Sequence, residues 1–106
     1  MKLFFVKRDN SVNAIVEWDQ KAKTFTVLKG SKVSDSIATH TKFRTLKTVE
    51  KLRANGTVNN GILMTDLTFK SASSAANFVN GSSTNGLTAW KDVKGKALKR
   101  ILAENK

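Results

Sequence analysis

The chain has 106 residues, of which 40% are hydrophobic and 25% charged, so residues 1–106 are enough for one domain with a core of its own but not for two. It contains no cysteine, which excludes disulfides, thiolate metal sites and thiol nucleophiles. No apolar run approaches the length of a membrane span, and no leader pattern is recognisable, so we expect a cytoplasmic protein without a membrane partner.

The charge balance points to an acidic partner. The formal net charge is +11 and the isoelectric point is near 10.3. In a domain of this size such an excess is the electrostatic signature of nucleic acid, with DNA as the first candidate and an anionic membrane surface or an acidic protein behind it. The alternative, that a basic isoelectric point only keeps the protein soluble, stays open at this stage.

The first third of the chain has the pattern of strands. Apolar and β-branched runs cover residues 1–7, 12–18 and 24–29, and short polar clusters separate them. Within the third run, Phe25 and Val27 alternate with polar neighbours. Three such strands with short connections predict an antiparallel meander. A polar connector follows over residues 30–39.

The period then becomes helical over Thr41–Ala54, where apolar residues recur on one narrow face. Thr41 can cap the start of this helix and Gly56 follows its end. The opposite face is basic, and it is either a stripe that contacts phosphates or an ordinary solvated surface. The cations of this face are Arg44, Lys47 and Lys51.

The second half predicts a hairpin followed by helices. Asn59-Asn60-Gly61 is a turn signal, and residues 62–69 read as one or two strands. A Ser-capped helix is expected over residues 71–80, ended by Gly81, and a terminal helix over residues 96–103. The predicted fold class is therefore α+β: an antiparallel meander plus a hairpin, packed with two or three short helices.

The stretch between Phe69 and Lys91 organises this half. Three alanines on the predicted buried face of its helix make the helix thin, so that it can lie close to a sheet or to another backbone. Asn85-Gly86 predicts a turn that tolerates positive φ, and Trp90 is the large apolar anchor that follows.

The same stretch carries a family resemblance. Its pattern is F-x-S-x-S-x-A-A-x-x-V-x-G-x-S-x-N-G-x-x-x-W-K, and the motif F-x-V-L-K-G-S precedes it from Phe25. Over about residues 24–95 the chain resembles the small domain of unknown function that is appended to GIY-YIG nuclease-family and restriction-type proteins. It is also similar to the restriction-enzyme adenine-methylase-associated domain.

The resemblance implies an accessory nucleic-acid-binding role. Two positions depart from the family pattern: Ala72 replaces the usual proline, and Leu87 stands where an aromatic residue is common. Ala72 still suits the first helical position, but Leu87 removes an aromatic ring that could stack on a base. The chain has no GIY-YIG catalytic segment, so the nuclease activity of larger relatives does not carry over.

We expect a non-catalytic module that contacts phosphates through Lys and Arg, helped by the N–H groups at the start of the Ser-capped helix. Ser71 alone is also explained fully as an N-cap. Trp18 and Trp90 could stack on a base, although as aromatic anchors they are more often core. The predicted contact residues are Lys29, Arg44, Lys47, Lys51, Lys70, Ser71, Ser73, Lys91, Lys94, Lys96, Lys99 and Arg100.

Two other classes of function come into question. A protein-interaction module that docks onto a nuclease or a restriction-modification subunit is the alternative, and its binding would be insensitive to salt. An enzyme is not expected: the chain has eight carboxylates, one His and no Tyr, and no pair has diagnostic spacing. We therefore expect no catalytic residue, no metal, no cofactor and no small-molecule substrate, and no signature of sequence-specific base reading is present.

Overall fold

The computed structural model describes residues 1–7, 11–34, 56–81 and 84–104, and its architecture is α+β, as predicted. The strands are β1 Lys2–Val6, β2 Asn13–Asp19, β3 Thr24–Val27, β4 Val58–Asn59, β5 Ile62–Leu63 and β6 Leu67–Phe69; the helices are α1 Ala72–Asn80, α2 Gly86–Ala89 and α3 Leu98–Glu104. A four-stranded antiparallel sheet has the order β1-β2-β3-β6, and β4 and β5 form a separate hairpin. The predicted basic helix over Thr41–Ala54 lies outside the described residues.

The first three strands form the predicted meander, and their register separates two faces of the sheet. Val16 lies opposite Leu3 on one side and Val27 on the other, and directly opposed residues point to the same face. The inner face packs in the core and carries Leu3, Phe5, Ala14, Val16, Trp18, Phe25, Val27, Leu67 and Phe69. We call the opposite side the outer face; it carries Lys2, Phe4, Val6, Asn13, Ile15, Glu17, Asp19, Thr24, Thr26 and Thr68.

The hairpin turn at Asn60-Gly61 is confirmed. Asn60 has φ 53° and Gly61 has φ 77°. Positive φ at both central residues is typical of a type I′ turn, the two-residue hairpin turn whose twist matches that of the flanking antiparallel strands. The sequence therefore located this turn from the chemistry of two residues.

A bulge follows β3 and explains the L-K-G-S part of the motif. Leu28–Ser31 is a β-turn closed by the Ser31 N–H to the Leu28 carbonyl at 3.1 Å, and Gly30 has φ 91°. The turn lifts the backbone away from β2, and the chain rejoins the strand where Lys32 pairs with Asn13. In the gap, the buried Ser31 hydroxyl accepts the Ile15 N–H at 3.1 Å. A side chain thus replaces the missing backbone partner.

Ser31→Ala should lower the free energy of unfolding by about 1–3 kcal/mol, because the half-buried Ile15 N–H loses its acceptor. Chemical denaturation monitored by circular dichroism measures this loss. Thr26→Val is the control: it removes a hydroxyl that contacts Thr68 Oγ1 at 2.8 Å on the exposed side, and we expect a change within about 0.5 kcal/mol. Equal losses in both variants would contradict the role assigned to Ser31.

Helix α1 packs against β3 and β6, and its two caps are the predicted ones. Ser71 accepts the Ser74 N–H through its side chain, and Gly81 has φ 73° at the C-cap. The buried side of α1 is wider than the alanine face that the sequence predicted, because Asn77 and Phe78 are buried as well. Helix α3 begins at Leu98, two residues after the predicted start.

Candidate nucleic-acid interface

The serine hydroxyls at the start of α1 form hydrogen bonds within the chain. Ser71 Oγ accepts the Ser74 N–H at 3.0 Å and lies 2.8 Å from Ser74 Oγ. Ser73 Oγ accepts the Gly86 N–H at 3.1 Å. Both serines that were candidates for phosphate contact therefore have partners within the chain. The role of Ser71 as N-cap explains why a serine stands there, and the contact of Ser73 with Gly86 of α2 explains the second serine.

Both tryptophans are part of the core. Trp90 is fully buried, and its indole Nε1–H donates to the Ala72 carbonyl at 2.9 Å. Trp18 is 7% exposed and stacks on Phe25 with ring centroids 6.0 Å apart. The core interpretation of these rings therefore holds, and neither presents a face on which a base could stack.

The structure of Asn85-Gly86 differs from the predicted turn. Asn85 has φ −80° and caps the short helix α2 by accepting the Leu87 N–H, while Gly86 does not adopt positive φ. A Cβ on Gly86 would lie 2.2 Å from the Ala72 carbonyl carbon and 2.4 Å from the Ser73 nitrogen. Glycine is needed for close approach to the first turn of α1, and not for its backbone conformation.

Five of the predicted cations lie together in residues 91–100, which we call the basic segment: Lys91, Lys94, Lys96, Lys99 and Arg100. Its first part is a tight turn in which Asp92 Oδ1 accepts the N–H groups of Lys94 and Lys96 at 2.9 and 2.8 Å. Gly95 has φ 85° in this turn. The second part is the exposed side of α3. Asp92 therefore holds the turn through the backbone.

Glu104 balances two of these cations. Its carboxylate accepts from Lys96 Nζ at 2.7 Å and lies 3.7 Å from Arg100 Nε. The hydrogen bond from Lys96, helped by the charges of Lys96 and Arg100, lowers the pKa of Glu104 below its usual value of 4.5. Among the described residues, no carboxylate forms an ion pair with the exposed Lys94 or Lys99.

The other predicted contact residues lie elsewhere. Lys29 belongs to the bulge after β3, and its N–H donates to Asp66 Oδ1 at 2.7 Å. Since Lys91 pairs with Phe4 beyond β1, about 14 Å of sheet separates Lys29 from Lys91. Lys70 precedes the N-cap of α1. Arg44, Lys47 and Lys51 lie outside the described residues.

Sequence reasoning missed three residues of the outer face. Lys2 and Phe4 lie on β1 and Lys32 comes from another part of the chain, and strand pairing places all three on the same side of the sheet as Lys91. The i, i+2 spacing of Lys2 and Phe4 on a predicted strand indicates that these two share a face, but Lys32 joins them only through strand register.

Two features are absent from the part of the chain that the structure describes. There, no helix is both long and apolar enough to cross the membrane. In the same ranges, no three His, Asp or Glu side chains are grouped so that they could hold a metal ion.

The sheet, the Ser-capped helix and the glycine packed against it define a small α+β domain. The family model for a domain of unknown function, DUF4357, matches residues 4–102, and the chain belongs to that family. The match extends on both sides of the range over which the sequence motifs are recognisable. No curated protein and no solved structure gives a significant match.

Proposed function

We propose that this protein is a non-catalytic module that binds nucleic acid, DNA in the first instance, by contacting phosphates with Lys and Arg. The observation that carries the proposal is the basic segment, in which Lys94 and Lys99 are exposed and form no ion pair with a described carboxylate. The net charge of +11 supports it, because association with a polyanion releases condensed counterions.

Such contacts carry no sequence information by themselves. Lysine is a flexible point charge, so the basic segment would hold the phosphate backbone without reading bases. The resemblance to domains appended to GIY-YIG nuclease-family and restriction-type proteins supports an accessory role, in which the module raises the local concentration of nucleic acid near a partner enzyme. The phosphate contact at the start of α1 is left out of this proposal, since Ser71 and Ser73 have internal partners.

A salt titration tests the proposal. Contact with about four phosphates predicts a slope of about −3 to −4 for the logarithm of the association constant against the logarithm of salt concentration on a DNA duplex. Replacing both Lys94 and Lys99 with Gln should reduce the magnitude of this slope by about 1.8. Fluorescence anisotropy of a labelled duplex gives both values.

The matched control replaces Lys21 and Lys23 with Gln, in the turn between β2 and β3. This variant loses the same amount of positive charge from two exposed side chains outside the basic segment. We expect it to change the slope by less than half as much as the Lys94 and Lys99 variant. Equal effects would show that overall charge, and not the basic segment, drives binding; no binding by the unmodified protein at low salt would overturn the function.

Glu104→Gln should act in the opposite direction in the same assay. It removes a negative charge from beside Lys96 and Arg100 and frees both for phosphate, so affinity at low salt should rise about two- to fivefold. A drop in affinity would contradict the arrangement of charges proposed for the basic segment.

Glu104→Gln also removes a contribution of the Glu104 carboxylate to stability. This contribution is present above pH 4.5, the usual pKa of the group, and is lost as pH falls through the lowered pKa of Glu104 in the folded protein.

Docking onto a protein is the second candidate, and one observation favours it. Val93 is 83% exposed at the tip of the turn in the basic segment, and Leu87 and Leu102 are exposed on α2 and α3. An apolar side chain at a turn tip can anchor a partner subunit such as a nuclease or restriction-modification component. A complex whose affinity is unchanged by salt and lost in Val93→Ser would favour this candidate over nucleic acid.

A further inference from the structure

The outer face of the sheet has an apolar row with an aromatic ring in it. Phe4 lies opposite Ile15 in the β1–β2 register, and the Leu28 N–H donates to the Ile15 carbonyl at 2.9 Å on the next strand. On the other side, Phe4 and Lys91 exchange both backbone hydrogen bonds, at 2.7 and 3.0 Å. Residues opposed in this way share a face, so the row runs Lys91, Phe4, Ile15, Leu28.

Lysines surround this row. Lys2 precedes Phe4 by two residues on β1, about 7 Å along the strand, and Lys91 lies one strand away, about 5 Å to the side. Lys32 pairs with Asn13, which pairs with Val6, so it stands at the far corner of the same face. All three lysines are exposed.

Two acidic residues of β2 face the same side. Glu17 is opposite Lys2, and its carboxylate lies 3.8 Å from the N-terminal amine of Met1. Asp19 is opposite Thr24 at the end of β2, and its Oδ1 accepts the N–H groups of Lys21 and Ala22. The described part of this face is therefore net positive around an apolar centre. A pocket of about 260 Å³ opens at its edge, lined by Phe4, Phe5, Val6, Thr88, Ala89 and Lys91.

We infer that the outer face binds a single-stranded segment of nucleic acid, with one base stacked on Phe4 and phosphates held by Lys2, Lys32 and Lys91. The inference rests on the proposed function and names the form of the partner. The flat apolar face of a base can stack on the Phe4 ring, and the negatively charged phosphates can contact the lysines that surround it on the sheet.

Duplex DNA fits this face less well, because its bases are stacked on one another and only its phosphates would reach the protein. Phe4 is half-buried, so part of its ring stays accessible to a base. Lys91 belongs both to this face and to the basic segment. A nucleic-acid strand that crosses the edge of the pocket would therefore pass from the outer face to the basic segment.

The test compares Phe4→Leu with Phe25→Leu. The two variants make the same chemical change, but Phe4 faces outward, whereas Phe25 is buried on the inner face of β3 and stacks on Trp18 with ring centroids 6.0 Å apart. The probes are labelled oligothymidylate and oligouridylate of about ten nucleotides and a DNA duplex. Thermal denaturation of each variant establishes that it is folded at the assay temperature.

We expect Phe4→Leu to weaken binding of the single strands about tenfold and to change duplex binding less than about twofold. Phe25→Leu should leave all three affinities within about twofold while lowering the melting temperature. Comparison of the two oligonucleotides shows whether DNA or RNA is preferred.

The inference is overturned if Phe4→Leu binds the single strands as well as the unmodified protein, or if it weakens duplex and single strands equally. It is also overturned if the unmodified protein binds duplex DNA and no single strand. In these cases duplex binding with a steep salt slope would leave the proposed function standing, whereas failure to bind any probe removes both.

Discussion

Gly86→Ala is expected to destabilise the protein by about 3 kcal/mol or more, although it adds one methyl group in a helical turn. The new Cβ would lie 2.2 Å from the Ala72 carbonyl carbon and 2.4 Å from both the Ala72 carbonyl oxygen and the Ser73 nitrogen. These are backbone atoms at the start of α1, so no side-chain rotation relieves the overlap. The hydrogen bond from the Gly86 N–H to Ser73 Oγ would stretch or break as the two segments separate.

Chemical denaturation of Gly86→Ala measures this loss, and Gly95→Ala is its control. Gly95 has φ 85°, but a Cβ at this residue would meet no atom within 4 Å, so its substitution carries only the conformational cost, about 1–2 kcal/mol. A Gly86→Ala variant as stable as the unmodified protein would show that α1 and α2 are not packed as closely as described.

Trp90→Ala is expected to cost about 3–5 kcal/mol in the free energy of unfolding, which is a large fraction of the stability of a small domain. The side chain is fully buried, meets Phe5 edge to face at 5.8 Å, and donates to the Ala72 carbonyl at 2.9 Å. Its removal leaves a large cavity where β1, the start of α1 and the basic segment meet.

Trp90→Phe separates the two contributions. Phenylalanine keeps an aromatic ring in the core but cannot donate to Ala72, so this variant should lose less than Trp90→Ala and retain a cooperative transition. Since no lysine is changed, any folded fraction of either variant should keep the salt slope of the unmodified protein. Equal stability of Trp90→Ala and the unmodified protein would contradict the position given to Trp90.

Gly86 and Trp90 show that the residues of the family pattern serve the packing of the domain. Ser71 caps α1, Ser73 accepts the Gly86 N–H, and Trp90 donates to Ala72 across the same junction. The stretch between Phe69 and Lys91 is thus a packing unit in which one segment closes over the start of a helix. In this chain the residues of the pattern serve packing, so a binding surface has to be sought around it.

Local chemistry made much of the fold predictable. A cap needs one hydroxyl beside a helix start, and the Asn60-Gly61 turn needs two residues that accept positive φ, so both can be recognised in a short window. Asn85-Gly86 predicts a turn because Asn-Gly usually forms one, whereas glycine is required at residue 86 by the nearness of Ala72, fourteen residues earlier in the chain. Such a requirement has no local signature.

The candidate site was less predictable for a similar reason. Charge and composition indicate a basic surface, and the cations of the basic segment are close together in sequence, so they can be proposed as a group from the sequence alone. Arg100 and Glu104 are an i, i+4 pair within α3, whereas the pairing of Lys96 with Glu104 depends on the turn at Asp92, which holds Lys96 in front of α3. The outer face depends on strand register, which joins Phe4 of β1 to Lys91 near the other end of the sequence.

The most direct test of nucleic-acid binding by these surfaces is a ¹⁵N-HSQC titration of the protein with oligothymidylate. The amides that shift should come from β1, from Lys32 and from the basic segment, and the shifts should diminish as salt is added. Shifts confined to the start of α1, or no shift at low salt, would contradict the account.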